Sequence, residues 1–238
     1  MITVSGVLST LMDGHPGEET LPALLCERCS DDVDVTGAGM ALMSENGHGG
    51  VVGATDGTAR RMEELQYTMG EGPCIDSSTG RQPVLQPDLV RTGPTRWPGF
   101  GPAVIEAGVA AIFAFPLQVG GMRLGVLDLY RDRSGPLDQA QLRDALTYAD
   151  AAVVLLLHLQ QQMGPGDGLH PQLVDPRDYR PEVHQATGMV SVQAAIGLTE
   201  ALLLLRARAF SSERSILEVA RDVLERRLRF GSQVGDGA

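Results

Sequence analysis

Apolar residues recur at helical spacing through the last fifth of the chain. Val183, Ala186, Val190 and Ala194 form one stripe; Ala201, Leu202, Leu205 and Ala209 form a second; Ile216, Val219, Ala220, Val223 and Leu224 form a third. The pattern predicts three short amphipathic helices between residues 181 and 230. Pro181 sits at the first helical position of the first, which Gly197 ends. Thr199 is the expected cap of the second, and Ser215-x-x-Glu218 is a capping box for the third. Gly188, inside the first helix, is read as a point of close helix approach, with helix irregularity as the other explanation. A core this small is marginal alone, so dimerisation or support from the rest of the chain is expected.

Upstream the pattern alternates between helical and strand periods. Helices are predicted over 18–33, over 58–69 with Thr58 as cap, near 99–107 and over 137–163. Strands are predicted at 39–44 and 51–54 around the turn-rich Glu45–Gly50, at 82–87 on a sheet edge, and at 110–119 and 124–130 around Gly120-Gly121. Gly70-Glu71-Gly72-Pro73-Cys74 is read as a break after the second helix. The fold class is therefore α+β: five antiparallel strands flanked by helices, then a small three-helix module. The boundaries are an N-terminal extension at 1–17, the α+β domain at 18–163, a Pro- and Gly-rich linker at 164–180, the helical module at 181–230 and a flexible tail at 231–238.

Charge divides the chain along the same line. The 238 residues carry 19 Arg, no Lys and a net charge of −11. Residues 181–230 hold seven Arg against six acids, a net of +1, whereas the 180 residues before them hold twelve Arg against 23 acids. Such an acidic chain is not a nucleic-acid binder along its whole length, so any such role is local. Arg206, Arg208, Arg214 and Arg221 lie off or at the edge of the apolar stripes. They are either groups for phosphates and unpaired bases or solvated surface residues paired with Glu218, Asp222 and Glu225. The first residues lack a basic leader pattern, and the run Ala149–Leu157 is broken by Asp150 and far short of the ~20 residues that cross a bilayer. A soluble, cytoplasmic protein is expected.

The candidate chemistry is sparse. Cys26-x-x-Cys29 lacks the second pair that a structural zinc site needs and reads as core packing. Cys74 lies beside Glu71 and Asp76, which should raise its thiol pKa; it is either a ligand or redox contact or part of a backbone turn. Trp97, the only Trp, is either a lid over the sheet or a ligand platform. Gly37-Ala38-Gly39 lacks the third Gly and the following helix of a dinucleotide fingerprint. Phosphate-loop, metalloprotease-helix and nucleophile-elbow motifs are absent, and the five His lie far apart in sequence. No catalytic constellation, metal set or cofactor motif is legible, so the expectation is a protein that is not an enzyme.

Two resemblances organise these readings. The runs A-T-G-M-V (186–190), E-A-L (200–202), L-L-R-A-R-A-F (204–210) and I-L-E-V-A-R-D-V (216–223) resemble the ANTAR domain over the whole 50-residue module. That resemblance implies an RNA-binding transcription antiterminator that dimerises and holds nascent RNA in paired small hairpin loops, so that a terminator hairpin cannot form. Many members carry a basic residue where this chain has Thr187. G-E-G-P-C-I-D (70–76), R-W-P-G-F (96–100) and F-P-L-Q-V-G-G-M-R-L-G-V-L-D-L-Y (115–130) resemble GAF domains, over about residues 18–162. That implies a sensory module that can bind a small ligand on one sheet face and pair through its terminal helices.

Together they imply a homodimer whose partner is a stem-loop in nascent transcripts. Gln185, Arg206, Arg208, Arg214 and Arg221 are the candidate RNA contacts, and Cys74 and Trp97 are the candidate contacts for a small-molecule ligand. His184, beside Gln185, is either a further donor to RNA or a plain surface residue. Two other readings stay open. One is a DNA-binding helix-turn-helix variant, against which stand Glu218, Asp222 and Glu225 on the outer face of the third helix. The other is a metabolite-sensing dimer with no nucleic-acid role.

Overall fold

The computed structural model describes residues 2–13, 20–44, 47–164, 168–174, 181–212 and 214–230. The chain divides into two compact units, 1–178 and 179–238. Among the described residues no single helix is long and apolar enough to cross a membrane.

The first unit is built on a five-stranded antiparallel sheet. Its strands are β1 (Gly37–Ser44), β2 (Gly47–Ala54), β3 (Val84–Gln86), β4 (Ala111–Val119) and β5 (Met122–Arg131), in the order β2-β1-β5-β4-β3. β3 is a short edge strand, as its flanking prolines predict. β4 and β5 pair tightly through Gly120-Gly121, where Gly120 has φ +55°. The β1–β2 hairpin pairs through to Ser44 and Gly47, so β2 takes in residues 47–50 of the predicted turn; Glu45 and Asn46 lie outside the described residues.

Period-two alternation gives the sheet two apolar faces. Phe113, Phe115, Leu117, Leu127 and Leu129 point to one side, with Ala38 and Met40 of β1. That side is covered by α1 (Val4–Asp13), α2 (Leu21–Val33) and α7 (Gln139–Gln161). Ile112, Ala114, Val126 and Tyr130 point to the other. There they meet α3 (Gly57–Met69), α4 (Pro73–Gly80), α5 (Leu89–Arg96) and α6 (Phe100–Glu106). Buried residues on both faces explain why β4 reads as an almost unbroken apolar run.

Several local expectations are corrected. α3 is capped by Asp56, whose carboxylate accepts from Ala59 N at 2.7 Å, not by Thr58. The break expected at 70–74 does end α3, on Gly70 at φ +68°, but Gly72 at φ +134° turns the chain at once into α4, a helix not predicted from the sequence. Residues 4–13, within the supposed extension, form α1, and its Val7 and Leu11 are part of the core. The linker is partly anchored. Pro171–Leu173 forms a 3-10 turn, Leu173 is buried, and Gln172 Oε1 accepts from Leu21 N at 3.0 Å.

The second unit consists of α8 (Pro181–Ala194), α9 (Leu198–Ser211) and α10 (Ile216–Leu224). Val183, Ala186 and Val190 of α8, Ala201, Leu205 and Ala209 of α9, and Ile216, Val219, Ala220 and Val223 of α10 are buried, whereas Ala194, Leu202 and Leu224 are only partly so. The predicted capping box opens α10: Glu218 N donates to Ser215 Oγ, and Ser215 N donates to Glu218 Oε2. α8 ends on Ala195, at φ +54°, and Gly197 is the cap position of α9 instead of Thr199.

Candidate functional site

In the second unit, Gln185, Gly188, Met189, Val192 and Gln193 of α8 line a cleft of about 570 Å³ with Arg226 and Arg229. The chain builds this by folding back after α10. Arg226 takes a left-handed turn at φ +60°, and the amides of Arg227 and Leu228 both donate to Asp222 O. Phe230 N then donates to Gln193 Oε1 at 2.9 Å, which pins the returning segment along α8. Gly188 supplies room: a Cβ there meets nothing within 4 Å. It opens the cleft and does not mark close helix approach.

The floor is apolar and the rim cationic. Among the described residues, neither Arg226 nor Arg229 is in an ion pair, whereas Arg227 is held by Asp222 and Glu225. An apolar shelf beside exposed guanidinium groups suits an unstacked base and its phosphate.

The five sequence-predicted contacts do not converge. Gln185 lines the cleft. Arg214 is paired with Asp222 at 2.7 Å, and Arg221 lies 3.5 Å from Glu182. Arg206 is half-buried, with two guanidinium nitrogens shut off from solvent, and Arg208 is exposed near the end of α9. His184 is exposed beside Gln185. Thr187 is buried and its hydroxyl donates to Val183 O at 2.7 Å, so the side chain at this position caps a carbonyl of its own helix. Sequence reasoning missed Arg226 and Arg229 because they follow the last apolar stripe; the run R-R-L-R (226–229) was the available signal.

In the first unit, the two candidate ligand contacts lie inside the second core. Trp97 is 2% exposed, meets Phe100 edge-on at 6.2 Å, and lies under the Arg96 guanidinium. Its indole N–H donates to Asp76 Oδ2 at 3.3 Å, and Arg96 pairs with the same carboxylate. Cys74 is wholly buried in the first turn of α4. Burial, then Asp128 and Glu63, pushes its thiol well above the ordinary value. The acids responsible are therefore not Glu71 and Asp76: Glu71 Oε1 instead accepts from the amides of Gly99 and Phe100, at the start of α6.

A polar cluster is set into this core. Glu63 and Gln66 of α3, Cys74 of α4 and Asp128 of β5 are all fully buried. Gln66 joins them: its Nε2 donates to Asp128 Oδ2 at 2.9 Å and to Glu63 Oε2 at 3.4 Å, and its Oε1 accepts from Cys74 N at 2.7 Å. Oxygens of Glu63 and Asp128 and the Cys74 sulfur lie within 4.8 Å of one another, so these three residues could hold a metal ion. Spacings of 11 and 54 residues along the chain hide such a group from any motif search.

No family model matches the chain, and no curated protein matches it. Solved structures do. The GAF domain of an Acinetobacter phosphoenolpyruvate-protein phosphotransferase matches with a TM-score of 0.51 and 10% identity, over 69% of this chain and 95% of that one. The GAF domain of a Coxiella burnetii phosphoenolpyruvate-protein phosphotransferase matches with a TM-score of 0.47 and 15% identity, over 67% and 95%. Free methionine-R-sulfoxide reductase from Neisseria meningitidis matches with a TM-score of 0.48 and 13% identity, over 68% and 90%. At such identities the likeness is one of fold, and the first unit has the GAF fold.

Proposed function

We propose that the chain is an RNA-binding transcription antitermination regulator, in which a sensory and dimerising GAF unit controls an ANTAR-like helical unit that grips hairpin loops in nascent RNA. The observation that carries this reading is the α8 cleft, with Gln185 on one side and Arg226 and Arg229 on the other. A loop base rests on Met189 and Val192 while its flanking phosphates meet the two guanidinium groups. Arg208, exposed on α9, adds charge outside the cleft.

Dimerisation finds support in the apolar side chains that the second unit leaves in solvent outside the cleft lining: Phe210 at 66% and Leu203 at 63% exposure. Duplex DNA is disfavoured because Asp222 and Glu225 hold Arg214 and Arg227, so α10 offers ion pairs where a recognition helix needs free donors. A gel-shift competition on the full chain, at one fixed salt concentration, separates the readings. Hairpin-loop RNA should displace itself and resist excess duplex DNA of the same length; equal displacement by the DNA contradicts the proposal.

A further inference from the structure

The buried group formed by Glu63, Gln66, Cys74 and Asp128 is unlike the rest of its surroundings, which are apolar. Three ligand residues, two carboxylates and a thiol, come from three elements: α3, α4 and β5. The backbone makes the space. Gly39 of β1 is directly opposite Asp128 in the sheet, and a Cβ at Gly39 would stand 2.8 Å from Glu63 Oε1. Gly72 does the same for Gln66, whose Oε1 would meet an added Cβ at 2.7 Å. Two glycines thus admit two polar side chains to one spot beneath the sheet.

Two carboxylates at this separation in a dry site favour sharing a cation or a proton. The Cys74 sulfur, within 4.8 Å of the carboxylate oxygens, adds a third ligand that a proton-sharing pair does not need. A thiolate with carboxylate oxygens selects borderline divalent metals of the first transition row over calcium or magnesium.

We propose that Glu63, Cys74 and Asp128 form a closed binding site for a divalent transition metal of the zinc or iron(II) class, through which the first unit responds to that ion. Binding breaks the Cys74 S–H bond and forms a sulfur–metal bond. The thiol proton, with any proton held between the carboxylates, leaves to solvent, and no electrons are transferred. Gln66 is a positioning residue: its amide fixes both carboxylates and the Cys74 backbone at once. None of this depends on the RNA reading.

The test uses the full chain, stripped with a chelator and titrated with cobalt(II). A saturable near-ultraviolet thiolate-to-cobalt charge-transfer band is expected at one equivalent per chain, bleached by zinc. Cys74→Ser should abolish the band, and Asp128→Asn should weaken binding at least about tenfold. Glu63→Gln, which keeps shape and removes charge, should cancel the zinc-dependent rise in Tm even where Cys74→Ser does not fold. Absence of a saturable band in the wild-type chain overturns the proposal. So does a band that survives Cys74→Ser, or a zinc-dependent rise in Tm that survives Glu63→Gln.

Discussion

Asp222 Oδ2 accepts from Arg214 Nη1 at 2.7 Å, while the same carboxylate's other oxygen holds Arg227. One acid on α10 therefore occupies two of the seven arginines of the basic module, and Arg214 serves the fold before it serves any ligand. Arg214→Ala should leave hairpin-RNA affinity within about twofold of wild type, because an exposed pair of this kind contributes little. Asp222→Asn frees Arg214 and leaves Arg227 to Glu225 alone, and should raise affinity while steepening its salt dependence. Fluorescence anisotropy at several salt concentrations checks both.

The same pair sets an acid limit. Hydrogen bonds from Arg214 and then Arg227 hold the Asp222 carboxyl below its ordinary value of 3.8, and the Ser215 amide and hydroxyl hold Glu218 below 4.5. Folded values below the unfolded ones mean that both acids stabilise the fold above about pH 4, and that this is lost as pH falls through the depressed values. Helicity of the full chain, followed by circular dichroism during acid titration, should show Asp222→Asn less stable than wild type at neutral pH. The difference should vanish at low pH.

Gly188 separates stability from function. A Cβ there meets nothing within 4 Å, so Gly188→Ala should stabilise α8 by up to about 1 kcal/mol. It also narrows the cleft. A higher Tm with weaker hairpin binding is the expected combination; unchanged binding places the RNA elsewhere.

Leu173 tests the anchored linker. It is 4% exposed within the first core, and Leu173→Ala should cost about 2 kcal/mol, read by urea unfolding of the full chain. A wholly flexible linker predicts no change.

The sheet was legible because alternation along β4 and β5 and the glycine pair between them are local signals, and the stripes of α8 to α10 equally so. The α4 turn was not, because Gly-rich punctuation reads the same whether it ends one helix or starts the next. α5, with Pro94 inside it, carries a residue that argues against a helix. Caps moved by two residues, from Thr58 to Asp56 and from Thr199 to Gly197, since several nearby residues could do that work. The candidate sites were the least legible part. Pairing of Arg214 and Arg221 with acids was one of two open readings, but Glu182 as the partner of Arg221 emerges only when α8 packs on α10, and Cys74 looked flanked by Glu71 and Asp76 until folding put Asp128 and Glu63 beside it.

Hairpin-loop RNA binding to the full chain, compared between wild type and the Arg226→Ala/Arg229→Ala double variant by anisotropy across a salt series, bears most directly on the proposed grip. The double variant should bind at least about tenfold more weakly, with a salt slope shallower by roughly 0.7 for each lost phosphate contact. Equal affinity and equal slope in the two proteins would contradict it.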